Sequence, residues 1–169
     1  FVSYNDEIRR PEMNSTYDTF LKKKVLRAQA SGFEVSKSAI HFILYDFQRD
    51  ITIWALKLGR AAVLGDCGLG KTLILCEFAR LVQEREGGKV LIVSPLAVAE
   101  QTIAEAKNKL KLKIRYVGNI EDITADGIWI TNYERIERFV DFKLTGIILD
   151  ECFAAGTMVE GPTGKKAIE

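Results

Sequence analysis

The sequence predicts an α/β protein: a doubly wound parallel sheet built around a phosphate-binding loop, with a helical N-terminal extension and a short C-terminal tail of different character. Three observations predict it. From residue 61 onward, short apolar runs alternate with helical patterns of about ten residues or more, which indicates right-handed crossovers between parallel strands. Between the first run and the helix after it stands Gly65-Asp66-Cys67-Gly68-Leu69-Gly70-Lys71-Thr72. The last clear run, Thr145 to Leu149, ends in two carboxylates, Asp150 and Glu151.

The elements follow in order. From Thr16 to Ala30, Tyr17, Phe20, Leu21, Val25 and Ala28 fall roughly on one helical face, and Gly32 stops the pattern. A second helix is expected from about Phe47 to Leu58, burying Ile51, Trp54, Ala55 and Leu58 at i, i+3, i+4, i+7, with Gly59 ending it. Ala61-Ala62-Val63-Leu64 is wholly apolar, as a strand buried on both faces of a parallel sheet should be. The helix that leaves the loop should run to about Glu86, burying Leu75, Phe78, Ala79 and Val82, before Gly87-Gly88 closes it. Lys89 to Val93 is the next strand and Ala97 to Leu110 a further helix. Lys113 to Val117, Gly127 to Thr131 and Thr145 to Leu149 complete the strands. The chain thus divides into an extension over 1–42, a nucleotide-binding lobe over 43–151 and a tail over 152–169.

Composition agrees with one ordinary domain. The 169 residues are 47% apolar and 28% charged, with 24 Lys and Arg against 23 Asp and Glu, a net charge of +1. This balance neither requires nor excludes a nucleic-acid partner, because a local basic groove can exist on a neutral protein. Lys22, Lys23 and Lys24 read as a solvated helix face rather than such a groove. No apolar run is long enough to cross a bilayer and no export signal opens the chain, so no membrane partner is expected. Cys67, Cys76 and Cys152 lack metal-type spacing and are odd in number, against a disulfide or zinc framework. A reducing cytoplasm is the expected compartment. The first residue is Phe1 rather than Met, and the reading is of a fragment or processed piece.

Gly65 to Thr72 matches G-x-x-x-x-G-K-[ST] without deviation. Glycines let backbone N–H groups turn inward to cradle anions, and the following helix adds its positive N-terminal end. Gly65, Asp66, Cys67, Gly68, Leu69 and Gly70 form the cradle, Lys71 would reach the β- and γ-phosphates, and the Thr72 hydroxyl would ligate Mg²⁺. Such a loop needs an acidic partner to hold the metal and orient water. The tip of the Thr145–Leu149 run supplies it, with Asp150 expected to bind Mg²⁺ through water and Glu151 to polarise the attacking water. The cofactors implied are ATP and Mg²⁺.

On these residues the chain, over roughly Ser31 to Glu151, resembles the superfamily-two helicases and translocases, particularly the Swi/Snf-like ATPases of phage and bacterial genomes. Phe47-Gln48-Arg49, with Gln48 seventeen residues before the loop, looks like the Q motif, whose glutamine amide reads the adenine edge. Val93-Ser94-Pro95-Leu96 resembles motif Ia, and Ile130-Thr131-Asn132-Tyr133-Glu134 resembles motif Ib. The resemblance implies a RecA-like fold and nucleic-acid backbone contacts through Ser94, Pro95, Thr131, Asn132 and Tyr133. It also implies double-stranded DNA as partner, a bacterial or phage-infected cell as setting, and a second RecA-like lobe that donates arginine fingers. That lobe has no place after Glu151, so the chain alone should bind nucleotide weakly and hydrolyse it poorly.

The family pattern stops at Cys152. Cys152-Phe153-Ala154-Ala155-Gly156-Thr157-Met158-Val159 resembles the first splicing block of an intein, which opens on Cys and carries Gly-Thr a few residues later. Its thiol could attack the carbonyl of Glu151 and convert the peptide bond to a thioester, which is nucleophilic catalysis on the protein's own backbone. The only histidine, His41, lies upstream, and no Asn follows Cys152, so this chain should not splice itself. The remainder of the intein is the implied partner, through truncation rather than a split pair. Two other functions fit the loop less well. A transporter-type ATPase would show a Leu-Ser-Gly-Gly-Gln-like signature and a P-loop kinase an Arg-bearing lid; a non-catalytic nucleotide-binding module would not need Lys71, Thr72, Asp150 and Glu151 intact.

Overall fold

The computed structural model describes residues 30–151, together with the backbone of residues 158–161 and 164–167. All but the last residue of the helix expected over Thr16–Ala30, the Lys22–Lys24 cluster and Cys152 lie outside the described residues. Among the described residues three α-helices are formed: α1 (Asp46–Leu58), α2 (Lys71–Glu86) and α3 (Leu96–Leu110). The strands are β1 (Lys89–Ser94), β2 (Ile114–Tyr116), β3 (Gly127–Asn132) and β4 (Gly146–Leu149), with β5 (Met158–Gly161) and β6 (Gly164–Ala167) forming a separate antiparallel pair.

The main sheet is parallel throughout, in the order β2-β3-β1-β4. Each strand from β1 to β3 is rich in β-branched and aromatic residues, and β1 buries Val90, Leu91, Ile92 and Val93 completely. Alternate residues feed two cores. Val90 and Ile92 join Ile128, Ile130, Leu75, Ala79, Val82, Ala99 and Ala106 on the helical face. Leu91 and Val93 join Trp129, Val117, Ile123 and Phe139 on the other. Among the described residues, that second face is covered by the connections themselves, through 3₁₀ turns at Ile120–Asp122 and Tyr133–Phe139. Of the three links between these strands, β1 to β2 carries α3, and short 3₁₀ segments make the other two.

Three sequence expectations are corrected. Ala61–Leu64 is not a strand: it is irregular, with Leu64 73% exposed. A strand persists only when its N–H and C=O groups have ladder partners. On this side the sheet ends at β4, whose own Ile147 and Leu149 are about half exposed, and no described strand pairs with the run. Apolar composition signals a strand but does not supply its neighbour. Helix α1 is the second correction. Its buried residues are Gln48, Thr52, Ala55 and Leu56, while Trp54 is half exposed. Polar commitments set its rotation: Thr52 Oγ1 donates to the Gln48 carbonyl at 2.8 Å, and the Gln48 side chain is fixed at both ends, as described below. Phe78 of α2 is half-buried rather than buried.

Candidate functional site

The loop from Gly65 to Gly70 leads directly into α2, with Gly70 as its N-terminal cap. Gly68 and Gly70 have φ of +82° and +71°, in the left-handed region that glycine adopts at little cost. Gly70 is constrained twice, because a Cβ there would stand 2.5 Å from the Gln48 side-chain nitrogen. The Lys71 ammonium lies inside the loop and donates to the carbonyls of Gly65 at 2.9 Å and Asp66 at 3.0 Å. The Asp66 carboxylate accepts the Cys67 N–H at 2.9 Å, and Cys67 is exposed. Thr72 is half-buried in the first turn of α2. The first turn thus offers backbone donors, one ammonium and one hydroxyl, which is the inventory for binding a polyphosphate.

At the end of β4, the backbone N–H of Asp150 donates to the Val93 carbonyl at 2.8 Å, continuing the β1–β4 ladder one residue beyond the strand. The Tyr133 hydroxyl donates to the Asp150 carbonyl at 2.7 Å. Asp150 is therefore held from two sides, and only 8% of it is exposed. Burial, and then the adjacent Glu151 carboxylate, push the Asp150 carboxyl above the usual carboxylate range; a backbone hydrogen bond from Glu151 and the Lys71 ammonium pull the other way. Glu151 is exposed and has φ +50°, a left-handed backbone that costs a non-glycine residue energy.

Gln48 stands on the other side of the loop. It is 2% exposed, its Oε1 accepts the Tyr45 N–H at 2.9 Å, and its Nε2 donates to the Leu69 carbonyl at 2.9 Å. It therefore caps α1 and touches the phosphate loop with the same amide. Nearby Phe42 and Tyr45 are 81% and 71% exposed, and the Tyr45 and Phe47 rings lie nearly parallel with centroids 6.2 Å apart.

The residues expected to contact nucleic acid sit at the C-terminal ends of β1 and β3, where Ser94 and Asn132 are register partners. Ser94, Thr131 and Asn132 are buried, whereas Pro95 and Tyr133 are half-buried and Leu96 is 58% exposed. Thr131 Oγ1 and Asn132 Oδ1 have no hydrogen-bond partner among the described residues. Among those residues, no group of three His, Cys, Asp or Glu side chains gathers as a metal nest. Mg²⁺ is commonly held by one or two protein oxygens plus phosphates and water. A hydroxyl at Thr72 and a nearly buried carboxylate at Asp150 are hard oxygen donors of that kind.

Sequence reading missed one constellation. Glu77 is fully buried and bound to Arg80, which also reaches Ala39 and Glu84. The signal was present: Leu73, Cys76, Glu77 and Arg80 follow i, i+3, i+4, i+7, which places a carboxylate and a guanidinium on the apolar face of α2.

The architecture is similar to that of a solved structure, the UvsW helicase from bacteriophage T4, with a TM-score of 0.55 at 18% identity. The match covers 85% of this chain and 52% of that one, so the chain spans about half the neighbour's length. No family model and no curated protein matches the sequence. At this identity the likeness speaks to fold alone, and the fold is RecA-like. No helix among the described residues is long and apolar enough to cross a membrane.

Proposed function

We propose that the chain is the ATP-binding lobe of a nucleic-acid-dependent ATPase of the helicase or translocase type, interrupted after Glu151 by the start of an intein. One observation carries the first part: the Lys71 ammonium is seated inside a Gly65–Thr72 loop at the N-terminus of α2, donating to the Gly65 and Asp66 carbonyls, with Gly68 and Gly70 in the left-handed backbone that such a loop needs. In this reading the loop N–H groups and Lys71 hold the β- and γ-phosphates. Thr72 and Asp150 hold Mg²⁺, which would neutralise charge on the transferring phosphoryl group. Glu151, exposed beside Asp150, accepts the proton of the attacking water. Gln48 keeps one amide hydrogen and one lone pair beyond its two protein contacts, enough to read an adenine edge.

Duplex DNA is the proposed track, bound at the C-terminal edge of the sheet, where ligands of open α/β sheets sit. Pro95 and Tyr133 would contact it, while the buried Ser94, Thr131 and Asn132 shape the two loops. A second lobe completes the site, so this lobe alone turns over slowly, in the cytoplasm of a bacterial or phage-infected cell. Two measurements test the reading. Fluorescence anisotropy with a labelled duplex should show binding that weakens steeply as salt rises; no binding at low salt removes the nucleic-acid part. Fast DNA-stimulated hydrolysis by the chain alone would contradict the need for a second lobe.

Cys152 is proposed as the nucleophile of the splicing reaction, its thiol attacking the Glu151 carbonyl. In a protein carrying downstream splicing blocks, hydroxylamine should cleave between residues 151 and 152, and Cys152→Ala should abolish the cleavage. Equal cleavage in the variant would remove the intein assignment.

A further inference from the structure

The segment before α1 runs antiparallel to α2, from its C-terminal end toward the phosphate loop. The Arg85 guanidinium lies 4.5 Å over the Phe33 ring, Arg80 Nη2 donates to the Ala39 carbonyl at 2.9 Å, and the His41 N–H donates to Glu77 Oε1 at 2.7 Å. Gln48 then reaches the Leu69 carbonyl. At the centre of this series is a buried ion pair. Arg80 donates to both Glu77 oxygens, at 2.9 Å through Nε and 2.6 Å through Nη2, and Nη1 donates to Glu84. Glu77 is fully buried and the Arg80 side chain 18% exposed.

We infer that the Glu77–Arg80 pair is a positioning device for the base side of the nucleotide site, fixing the Gln48-bearing segment against the helix that carries the phosphate loop. The inference rests on the nucleotide-binding reading above. An apolar pair of the same volume would fill this space with less desolvation penalty. What such a pair could not do is fix register, and both contacts across the interface go to backbone atoms, the Ala39 carbonyl and the His41 amide. They specify where the segment lies along α2 regardless of its side chains. From His41 the constraint passes forward: the His41 and Phe42 rings stack at 4.6 Å, and Arg49 of α1 donates to the Phe42 carbonyl at 2.6 Å. Lys71 and the loop N–H groups belong to α2 and its N-terminus and do not depend on the pair.

The two halves of the site therefore respond differently. Binding of Mg·ATP and of inorganic tripolyphosphate should be compared by calorimetry in the wild type, Glu77→Leu, Arg80→Lys, Glu84→Gln and Lys71→Ala. Glu77→Leu removes the acceptor while filling its volume; Arg80→Lys leaves a cation beside Glu77 and keeps the test open if the first variant does not fold. ATP affinity should fall about tenfold in both, the worth of one hydrogen bond to a charged group, with tripolyphosphate affinity unchanged within about twofold. Glu84→Gln should change neither. Hydrogen exchange at the His41 amide should accelerate in Glu77→Leu. Parallel loss of both ligands, or unchanged ATP affinity, overturns the positioning role. Failure of the wild type to bind tripolyphosphate, or equal binding after Lys71→Ala, overturns the nucleotide-binding reading and this inference with it.

Discussion

Gly70 and Gln48 meet at the entrance to α2, and their coupling can be worked out from the structure. Gly70→Ala places a Cβ at φ +71° and 2.5 Å from Gln48 Nε2. The left-handed backbone costs an L-residue about 1–2 kcal/mol. Moving the amide aside breaks the bond to the Leu69 carbonyl, worth about 1 kcal/mol more, for a total of about 2–3 kcal/mol. Gln48→Ala removes the same bond together with the one from Tyr45 N–H, leaving both backbone groups unpaired at a cost of about 2–4 kcal/mol. In the double variant the collision is gone and the Leu69 bond cannot be lost twice. The two effects should therefore fall short of additivity by about 1 kcal/mol, where independent sites add within about 0.5 kcal/mol. Urea unfolding of the four proteins measures this. Strict additivity would refute the claim that Gly70 is required by the glutamine as well as by its own backbone.

Further outcomes are expected. Exposed Cys67 should react readily with iodoacetamide and be protected by Mg·ATP, whereas Cys76 should react only on unfolding; unprotected Cys67 would argue against nucleotide in the loop. Burial, with smaller contributions from Glu105, Asp150 and Glu77, pushes the Cys76 thiol from 9.0 up to about 12. Because its folded value is the higher one, its contribution to stability is fully present below pH 9.0 and is lost as pH rises toward about 12. The slope is about 1.4 kcal/mol per pH unit, which Cys76→Ala should remove from alkaline unfolding curves. Tyr133→Phe deletes the donor to the Asp150 carbonyl and should cost about 1 kcal/mol in unfolding free energy; no change would show that this bond does not hold the acidic tip.

The sheet strands β1 to β4 and helices α2 and α3 could be read to within a residue or two, because their apolar periodicity is strong and glycines punctuate them. The backbone of the loop could be anticipated in part, because Gly68 and Gly70 stand where its left-handed φ values fall. What failed has a common cause: it depends on a neighbour that a local pattern does not name. Ala61–Leu64 has the composition of a strand but no ladder partner, and Trp54 has the spacing of a core residue but yields its place to Gln48 and Thr52. Glu77 was passed over because a carboxylate on an apolar face makes sense only once Arg80, Ala39 and His41 converge on it. The burial of Ser94, Thr131 and Asn132 at the ends of β1 and β3 is likewise a property that their polarity alone does not announce.

The central claim is that Gly65 to Thr72 binds the triphosphate of ATP with Lys71 as its principal charged contact. Calorimetric titration of Mg·ATP into the wild type and Lys71→Ala, both verified as folded, tests it most directly. A charge-assisted contact to phosphate is worth about 1.5–3 kcal/mol, so affinity should fall by about tenfold to a hundredfold. Equal affinity in the two proteins would contradict the account.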